Sequence, residues 1–86
     1  MNAPKILSVQ ARENKKLLIK FVNGVVKVYD CTHLLGLEMF QVLKSDAFFM
    51  SVKVDSGGYG ISWNDDADLS EYELWKNGVD VVLASE

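Results

Sequence analysis

The sequence is poor in the residues that form disulfides and metal sites, with one cysteine and one histidine in 86 residues. A single cysteine cannot form an internal disulfide, and Cys31 with His33 falls short of the roughly four protein ligands of a closed zinc site. Apolar runs are shorter than the ~18 residues that cross a membrane, and the N-terminus lacks the charged-then-apolar order of a signal peptide. We therefore expect a cytoplasmic protein with no metal, no cofactor and no membrane partner.

The overall amino-acid composition is typical of one folded domain. Hydrophobic residues make up 49% of the chain and charged residues 24%, which is typical of a globular protein and excludes a disordered or fibrous one. The length suits one domain, since domains usually take ~100–200 residues, and no repeat or linker divides the chain. We predict a single domain over residues 1–86, with 79–86 as a C-terminal strand or tail.

Charge is distributed unevenly along the chain. Residues 1–54 hold eight lysines and arginines against four acidic residues, a net charge of +4. Residues 55–86 hold one lysine against eight acidic residues, a net charge of −7. The total of −3 repels a polyanion, so we expect no nucleic-acid binding by this chain alone. The acidic part favours a basic protein partner, although such scatter also keeps a small domain in solution.

Two strands joined by a tight turn form the clearest local pattern. Their β-rich runs flank Asn23-Gly24, a pair that readily adopts the positive φ angles of a two-residue type I′ turn. Such a turn pairs Val22 with Val25, and therefore Leu18 with Tyr29. The side chains predicted to face the core are Ile19, Phe21, Val26 and Val28. We predict that the opposite face, with Leu18 and Tyr29, is a half-apolar candidate oligomer surface, to be covered by a second copy of the chain or by a helix.

Apolar periodicity predicts a strand before this hairpin and a helix after it. Polar and apolar residues alternate over 6–11, as in a half-buried strand. Apolar residues then recur at helical spacing and predict a short helix near 37–44. Met39 and Val42 widen its apolar stripe, so we expect the helix to be well buried against the sheet.

A second hairpin and a second helix complete the pattern. Alternation predicts strands over 48–54 and 59–63, joined by the turn at 56–58. Ser70-x-x-Glu73 is a capping box that starts a helix, and Gly78 is suited to end it in a left-handed conformation. The predicted fold class is α+β: a small antiparallel sheet of about five strands in hairpins with two short helices, in the order β-β-β-α-β-β-α.

Three motifs suggest chemistry, and each fails a test of spacing. Asp30-Cys31-x-His33 offers a carboxylate, a thiol and an imidazole, but no three-group relay follows from it, so we interpret the cysteine as buried and structural. The loop Asn64–Asp68 is similar to a calcium loop, yet Leu69 and Trp75 stand where that motif needs Gly and Glu. Gly57-Gly58-x-Gly60 lacks the helix that a phosphate-binding loop precedes. We predict no catalytic residue, no metal-binding residue and no enzyme activity.

Aromatic side chains are concentrated beside the acidic residues of the C-terminal third. Apolar anchors within a charged rim are typical of a protein-recognition surface. The predicted partner or ligand surface consists of Tyr59, Trp63, Asp65, Asp66, Asp68, Tyr72 and Trp75. Its preferred occupant is a small basic protein, and the alternative is a small molecule in a pocket lined by the four aromatic residues.

Several short motifs occur in a fixed order along about residues 4–78. They are Pro4-Lys5-Ile6-Leu7-Ser8-Val9, Leu18-x-x-Phe21-x-Asn23-Gly24, Val28-Tyr29-Asp30, Phe40-x-x-Leu43, Phe48-Phe49-x-x-Val52-x-Val54, Ile61-x-Trp63 and Asp68-Leu69-Ser70-x-x-x-Leu74-Trp75. Their order and spacing resemble the bacterial family called domain of unknown function 2442. The resemblance implies a small α+β domain with no established activity. The matching residues are turns, caps and core positions, so no catalytic role is carried over to them.

The resemblance also implies a biological context. Relatives look like one half of two-gene pairs and have been proposed as antitoxin-like members of toxin–antitoxin systems. On this basis we expect a non-enzymatic interaction module whose partner is a small basic protein, such as a toxin encoded by the adjacent gene. Some relatives carry a helix-turn-helix DNA-binding domain after this one. The sequence up to Glu86 shows no such segment, so we expect no DNA binding of its own.

Overall fold

The computed structural model describes residues 3–81, which form two antiparallel sheets and two short α-helices. The strands and helices in chain order are β1 (Ile6–Arg12), β2 (Lys16–Phe21), β3 (Val26–Asp30), α1 (Asp46–Phe49), β4 (Lys53–Val54), β5 (Gly60–Ser62), β6 (Asp68–Ser70), α2 (Glu71–Asn77) and β7 (Val79–Asp80). Short 3-10 helices cover Glu13–Lys15, Thr32–Gly36, Glu38–Lys44 and Ser56–Gly58. One sheet has the order β1-β2-β3-β7, and the other has the order β4-β5-β6.

The α+β class is confirmed, whereas the single sheet of about five strands is not. The predicted order contains no strand at β6, which pairs with β5 and makes a separate three-stranded sheet. The C-terminal edge strand is present as β7, which pairs with Lys27 and Val28 of β3. The part of the predicted tail beyond residue 81 lies outside the described residues.

The turn between β2 and β3 has three residues instead of two. The backbone N–H of Phe21 donates to the carbonyl of Val25, and that of Gly24 donates to the carbonyl of Phe21, each over 2.9 Å. Gly24 takes the left-handed conformation at φ 90°. A type I turn followed by a left-handed residue is the usual three-residue hairpin, and glycine adopts that last position without strain. The Asn-Gly signal therefore marks the turn correctly but not its length.

This extra residue moves the side chains of β3 to the opposite face of the sheet. Tyr29 pairs with Leu17 and is 1% exposed, so the prediction that Tyr29 lies on an oligomer surface is wrong. Val26 and Val28 were predicted to lie in the core, and they instead share the outer face with Leu18 and are partly exposed. Leu18 itself faces outward as predicted.

The strand predicted over 48–54 is wrong in its first half. The Ser45 hydroxyl accepts a hydrogen bond from the Phe48 N–H over 3.2 Å and so caps α1, which buries Phe49. A serine cap satisfies one of the free N–H groups at a helix start, and this local interaction outweighs an alternating pattern. Within the predicted strand, only Lys53–Val54 pairs with β5.

The helix predicted near 37–44 is present as the 3-10 helix Glu38–Lys44. With about three residues per turn, positions three apart lie above one another. Phe40 and Leu43 form a buried row, 4% and 0% exposed, whereas Met39 and Val42 form an accessible row, 53% and 39% exposed. The prediction that Met39 and Val42 widen the buried stripe is therefore wrong, because it assumed α-helical spacing.

The helix α2 starts as predicted and ends by a different mechanism. The Ser70 hydroxyl accepts a hydrogen bond from the Glu73 N–H over 3.1 Å, which confirms the N-cap. Gly78 follows the helix at φ −75°, outside the left-handed region. A Cβ at Gly78 would lie 2.5 Å from the Leu74 carbonyl oxygen and 3.1 Å from the Lys27 Cβ. Close packing between α2 and β3, not a left-handed turn, requires glycine here.

One core joins both sheets and both helices. Its largest fully buried side chains are Tyr29, Phe21, Leu17, Ile19, Leu43, Ile61, Leu74 and Cys31. Burying a large apolar side chain contributes roughly 1.5–3 kcal/mol each, so this cluster dominates the stability of a domain this small. The core lies against the inner face of the four-stranded sheet, and the residues of the outer face are partly or fully exposed.

We expect Gly78→Ala to lower the free energy of unfolding by about 1–3 kcal/mol, because the new methyl group overlaps backbone on one side and Lys27 on the other. Gly36→Ala is the matched control. A Cβ there meets nothing within 4 Å, so stability should stay equal or rise by up to ~1 kcal/mol. Urea unfolding measures both variants. Equal midpoints for the two variants would contradict this account of Gly78.

Candidate functional site

Trp63, predicted to lie on the partner surface, belongs to the core. It is 6% exposed and stacks on Phe49 with a centroid distance of 5.9 Å and an interplanar angle of 24°. Its edge-on neighbour Phe40 lies 6.5 Å away, and its indole N–H donates to the Phe49 carbonyl over 2.9 Å. The prediction for Trp63 is therefore wrong, because its hydrophobic area and its polar N–H are both satisfied inside the protein.

Trp75 is half-buried and links α2 to the four-stranded sheet. Its ring meets Phe21 edge-on at 5.0 Å, and the Lys27 ammonium lies 4.6 Å from its centroid. The same ammonium pairs with the Asp80 carboxylate of β7 at 2.8 Å, and the Lys27 side chain is 12% exposed. A cation between an aromatic face and a carboxylate is a stabilising arrangement. Because the ring of Trp75 contacts both Phe21 and Lys27, it serves to pack α2 against the sheet.

Tyr59 and Tyr72 remain accessible, at 61% and 50% exposure, but the ring of each is contacted by a lysine ammonium group. The Lys5 ammonium lies 4.5 Å from the Tyr59 centroid and 3.5 Å from the Glu71 carboxylate. The Lys76 ammonium lies 5.7 Å from the Tyr72 centroid. The two lysines offset part of the negative charge of this region. The four aromatic residues contact different partners, so they do not line one shared pocket.

The structure instead forms an acidic groove where the 3-10 helix Glu38–Lys44 meets the loop between β5 and β6. The groove has a volume of about 460 Å³ and is lined by Glu38, Met39, Val42, Asn64 and Asp66. Its lining combines two exposed apolar side chains, Met39 and Val42, with two carboxylates, Glu38 and Asp66. Of the predicted surface residues, Asp66 lies in this groove. Asp65 and Asp68 are exposed nearby without lining it.

Local contacts hold both walls of the acidic groove. On one wall, the burial of Phe40 against Trp63 turns the accessible row of the 3-10 helix outward. On the other wall, the Asn64 side-chain oxygen accepts hydrogen bonds from the backbone N–H groups of Asp66, at 2.9 Å, and Ala67, at 2.6 Å. Ala67 is fully buried, so this Asx turn anchors the loop and leaves the Asp66 carboxylate free.

A second polar cluster connects β3, the turn after it and α2. The Tyr29 hydroxyl donates to the Glu73 carboxylate over 2.8 Å and lies 3.2 Å from the His33 Nε2, which then donates to it. Burial and the neighbouring carboxylate raise the pKa of Tyr29 far above its usual value, so the hydroxyl stays protonated. This cluster could not be predicted from the sequence, because only the observed strand register directs Tyr29 inward.

The candidates for chemistry show the features of structural residues. Cys31 is fully buried, and this burial raises the pKa of its thiol to about 12, so it carries no thiolate at neutral pH. Asp30 accepts hydrogen bonds from the backbone and hydroxyl of Thr32, which lower the pKa of the carboxyl.

Between residues 3 and 81, no three His, Cys, Asp or Glu side chains are grouped to hold a metal. Nor does this stretch contain a helix long and apolar enough to span a membrane.

The fold and the groove define a small α+β domain with a surface groove lined by apolar side chains and carboxylates. The chain belongs to the family described as protein of unknown function (DUF2442), whose model matches residues 6–80. This match confirms the resemblance found from the sequence. No curated protein and no solved structure matches the chain.

The raised pKa of Cys31 predicts a loss of stability in alkali. An unfolded thiol ionises above about pH 8.5, whereas the folded thiol holds its proton up to about 12, so rising pH favours the unfolded chain. We expect ionisation of this thiol in the unfolded chain to lower the free energy of unfolding by about 2 kcal/mol between pH 7 and pH 10. The Cys31→Ala variant should lack this part of the alkaline loss of stability and keep the part that comes from the raised pKa of Tyr29. Urea unfolding from pH 7 to 10 tests this, and parallel pH profiles would contradict it.

Proposed function

We propose that this protein is a non-enzymatic interaction module of the cytoplasm that binds a small basic protein through the acidic groove. The observation that carries the proposal is that the exposed side chains of Met39 and Val42 line the same groove as the carboxylates of Glu38 and Asp66. Isolated apolar side chains are common on protein surfaces, but an apolar centre with a charged rim is what protein interfaces present.

The chemistry of the groove indicates the kind of segment that fits it. An apolar side chain of the partner would pack between Met39 and Val42, and flanking lysines or arginines would pair with Glu38 and Asp66. The amide of Asn64 adds a polar contact, although its side-chain oxygen is already engaged by the loop backbone. The exposed carboxylates of Asp65 and Asp68, on the same loop as Asp66, would help to steer a basic partner toward the acidic groove.

The biological role that we propose is that of the antitoxin in a toxin–antitoxin pair. The choice of partner rests on the resemblance found from the sequence, which implies that relatives look like members of two-gene pairs. The product of the adjacent gene is accordingly the partner we expect. In this role the acidic groove would bind the toxin and restrain it, and this chain would contribute no catalytic group.

Small-molecule binding is the alternative function. The four aromatic residues first proposed for it are dispersed, but a cavity of about 430 Å³ has Tyr29 in its lining. Its polar lining includes Lys16, His33 and Asn77. Its size falls within the ~300–1,000 Å³ of ligand pockets. We rank it second because Tyr29 and His33, two of the polar side chains in its lining, already hydrogen-bond each other.

We expect Asp66→Lys to weaken binding of the adjacent gene's product at least tenfold, because it reverses a charge that borders the apolar centre. The matched control is Asp65→Lys, which makes the same change on the same loop outside the acidic groove and should alter the dissociation constant by less than about threefold. Co-expression followed by size-exclusion chromatography and calorimetry measures both.

Two results would count against the proposal in different ways. Equal loss in Asp65→Lys and Asp66→Lys, or no complex with the wild-type chain, would contradict binding in the acidic groove. A stable complex without rescue of growth when the partner is expressed would leave the interaction intact and contradict the antitoxin role.

A further inference from the structure

The outer face of the four-stranded sheet carries an apolar row with no buried member. β2, β3 and β7 place Leu18, Val28 and Val79 side by side, because Leu18 pairs with Val28 and Val28 pairs with Val79. Leu18 and Val28 are partly exposed, and Val79 is 70% exposed. An antiparallel sheet tolerates one face in water, but an apolar row across three strands suits a second apolar layer.

Two side chains of opposite charge lie next to this row, two residues away along β2 and β3. Lys16 of β2 and Asp30 of β3 are cross-strand neighbours, with the ammonium 3.4 Å from the carboxylate. Their side chains are 43% and 49% exposed, so both remain available to another molecule. The hydrogen bonds from Thr32 lower the pKa of the Asp30 carboxyl, which keeps it charged at neutral pH.

A two-fold axis between β2 and β3, parallel to both strands, would exchange the two strands between copies. Leu18 of each copy then lies over Val28 of the other, and Lys16 of each copy lies over Asp30 of the other. Every favourable contact therefore occurs twice, as isologous interfaces require. A two-fold axis across the strands would instead place Lys16 over Lys20 of the second copy, and this like-charge contact disfavours it.

From this complementarity we propose that the outer sheet face, defined by Lys16, Leu18, Val28, Asp30 and Val79, binds a second copy of this chain. The proposal is independent of the acidic groove, which lies on other elements. Strands about 4.8 Å apart make a four-stranded face smaller than the ~800 Å² per partner of a standard interface. We therefore expect a reversible dimer that gives monomers on dilution.

Sedimentation equilibrium of the full chain alone, from about 5 to 500 μM, tests the proposal. We expect a monomer–dimer equilibrium for the wild type and at least tenfold weaker association for Leu18→Glu. Leu37→Glu is the matched control, since Leu37 is 49% exposed but lies in the segment before the 3-10 helix Glu38–Lys44, off the four-stranded sheet. It should associate like the wild type, and circular dichroism checks that both variants fold.

A charge variant tests the proposed symmetry separately. Lys16→Glu would face Asp30 of the second copy and should weaken association by about three- to tenfold. Lys44→Glu makes the same change away from the sheet and should have no effect. A wild type that is monomeric at every concentration would overturn the proposal. So would equal weakening in Leu18→Glu and Leu37→Glu, while an unaffected Lys16→Glu would overturn the symmetry.

Discussion

The pairing of β2 with β3 through a three-residue turn decides which side chains of the four-stranded sheet face the core. The hydrogen bonds between Phe21 and its neighbours set this register, and Tyr29 and Lys27 consequently point inward. Tyr29 then reaches the carboxylate of Glu73, and Lys27 packs on Trp75. Because both contacts hold α2 against the sheet, the position of α2 depends on this turn.

Burial of one indole has a comparable effect on the other side of the molecule. Trp63 contacts α1 through Phe49 and the 3-10 helix Glu38–Lys44 through Phe40, so it connects β5 to both. The buried row of the 3-10 helix follows from this packing, and the accessible row with Met39 is its geometric consequence. The acidic groove therefore arises from the core that lies beneath it.

Much of the local structure could be predicted from sequence, because caps and turns act over few residues. The N-cap Ser70 and the Asn23-Gly24 turn are where the sequence places them. The strand register could not be predicted, since Asn23-Gly24 suits hairpin turns of two and of three residues, and one added turn residue reverses the faces of a strand. The groove was missed for a similar reason, because the apolar pattern around Val42 does not distinguish a 3-10 helix from an α-helix. The polar contact of Tyr29 depends on the register and was missed with it.

An NMR chemical-shift map would show whether the partner binds in the acidic groove. Amide shifts of the isotope-labelled chain would be compared with and without the co-purified product of the adjacent gene. We expect the largest changes at 38–42 and 64–67, the two walls of the groove. Changes confined to the outer sheet face around Leu18, or no changes at all, would contradict binding in the groove.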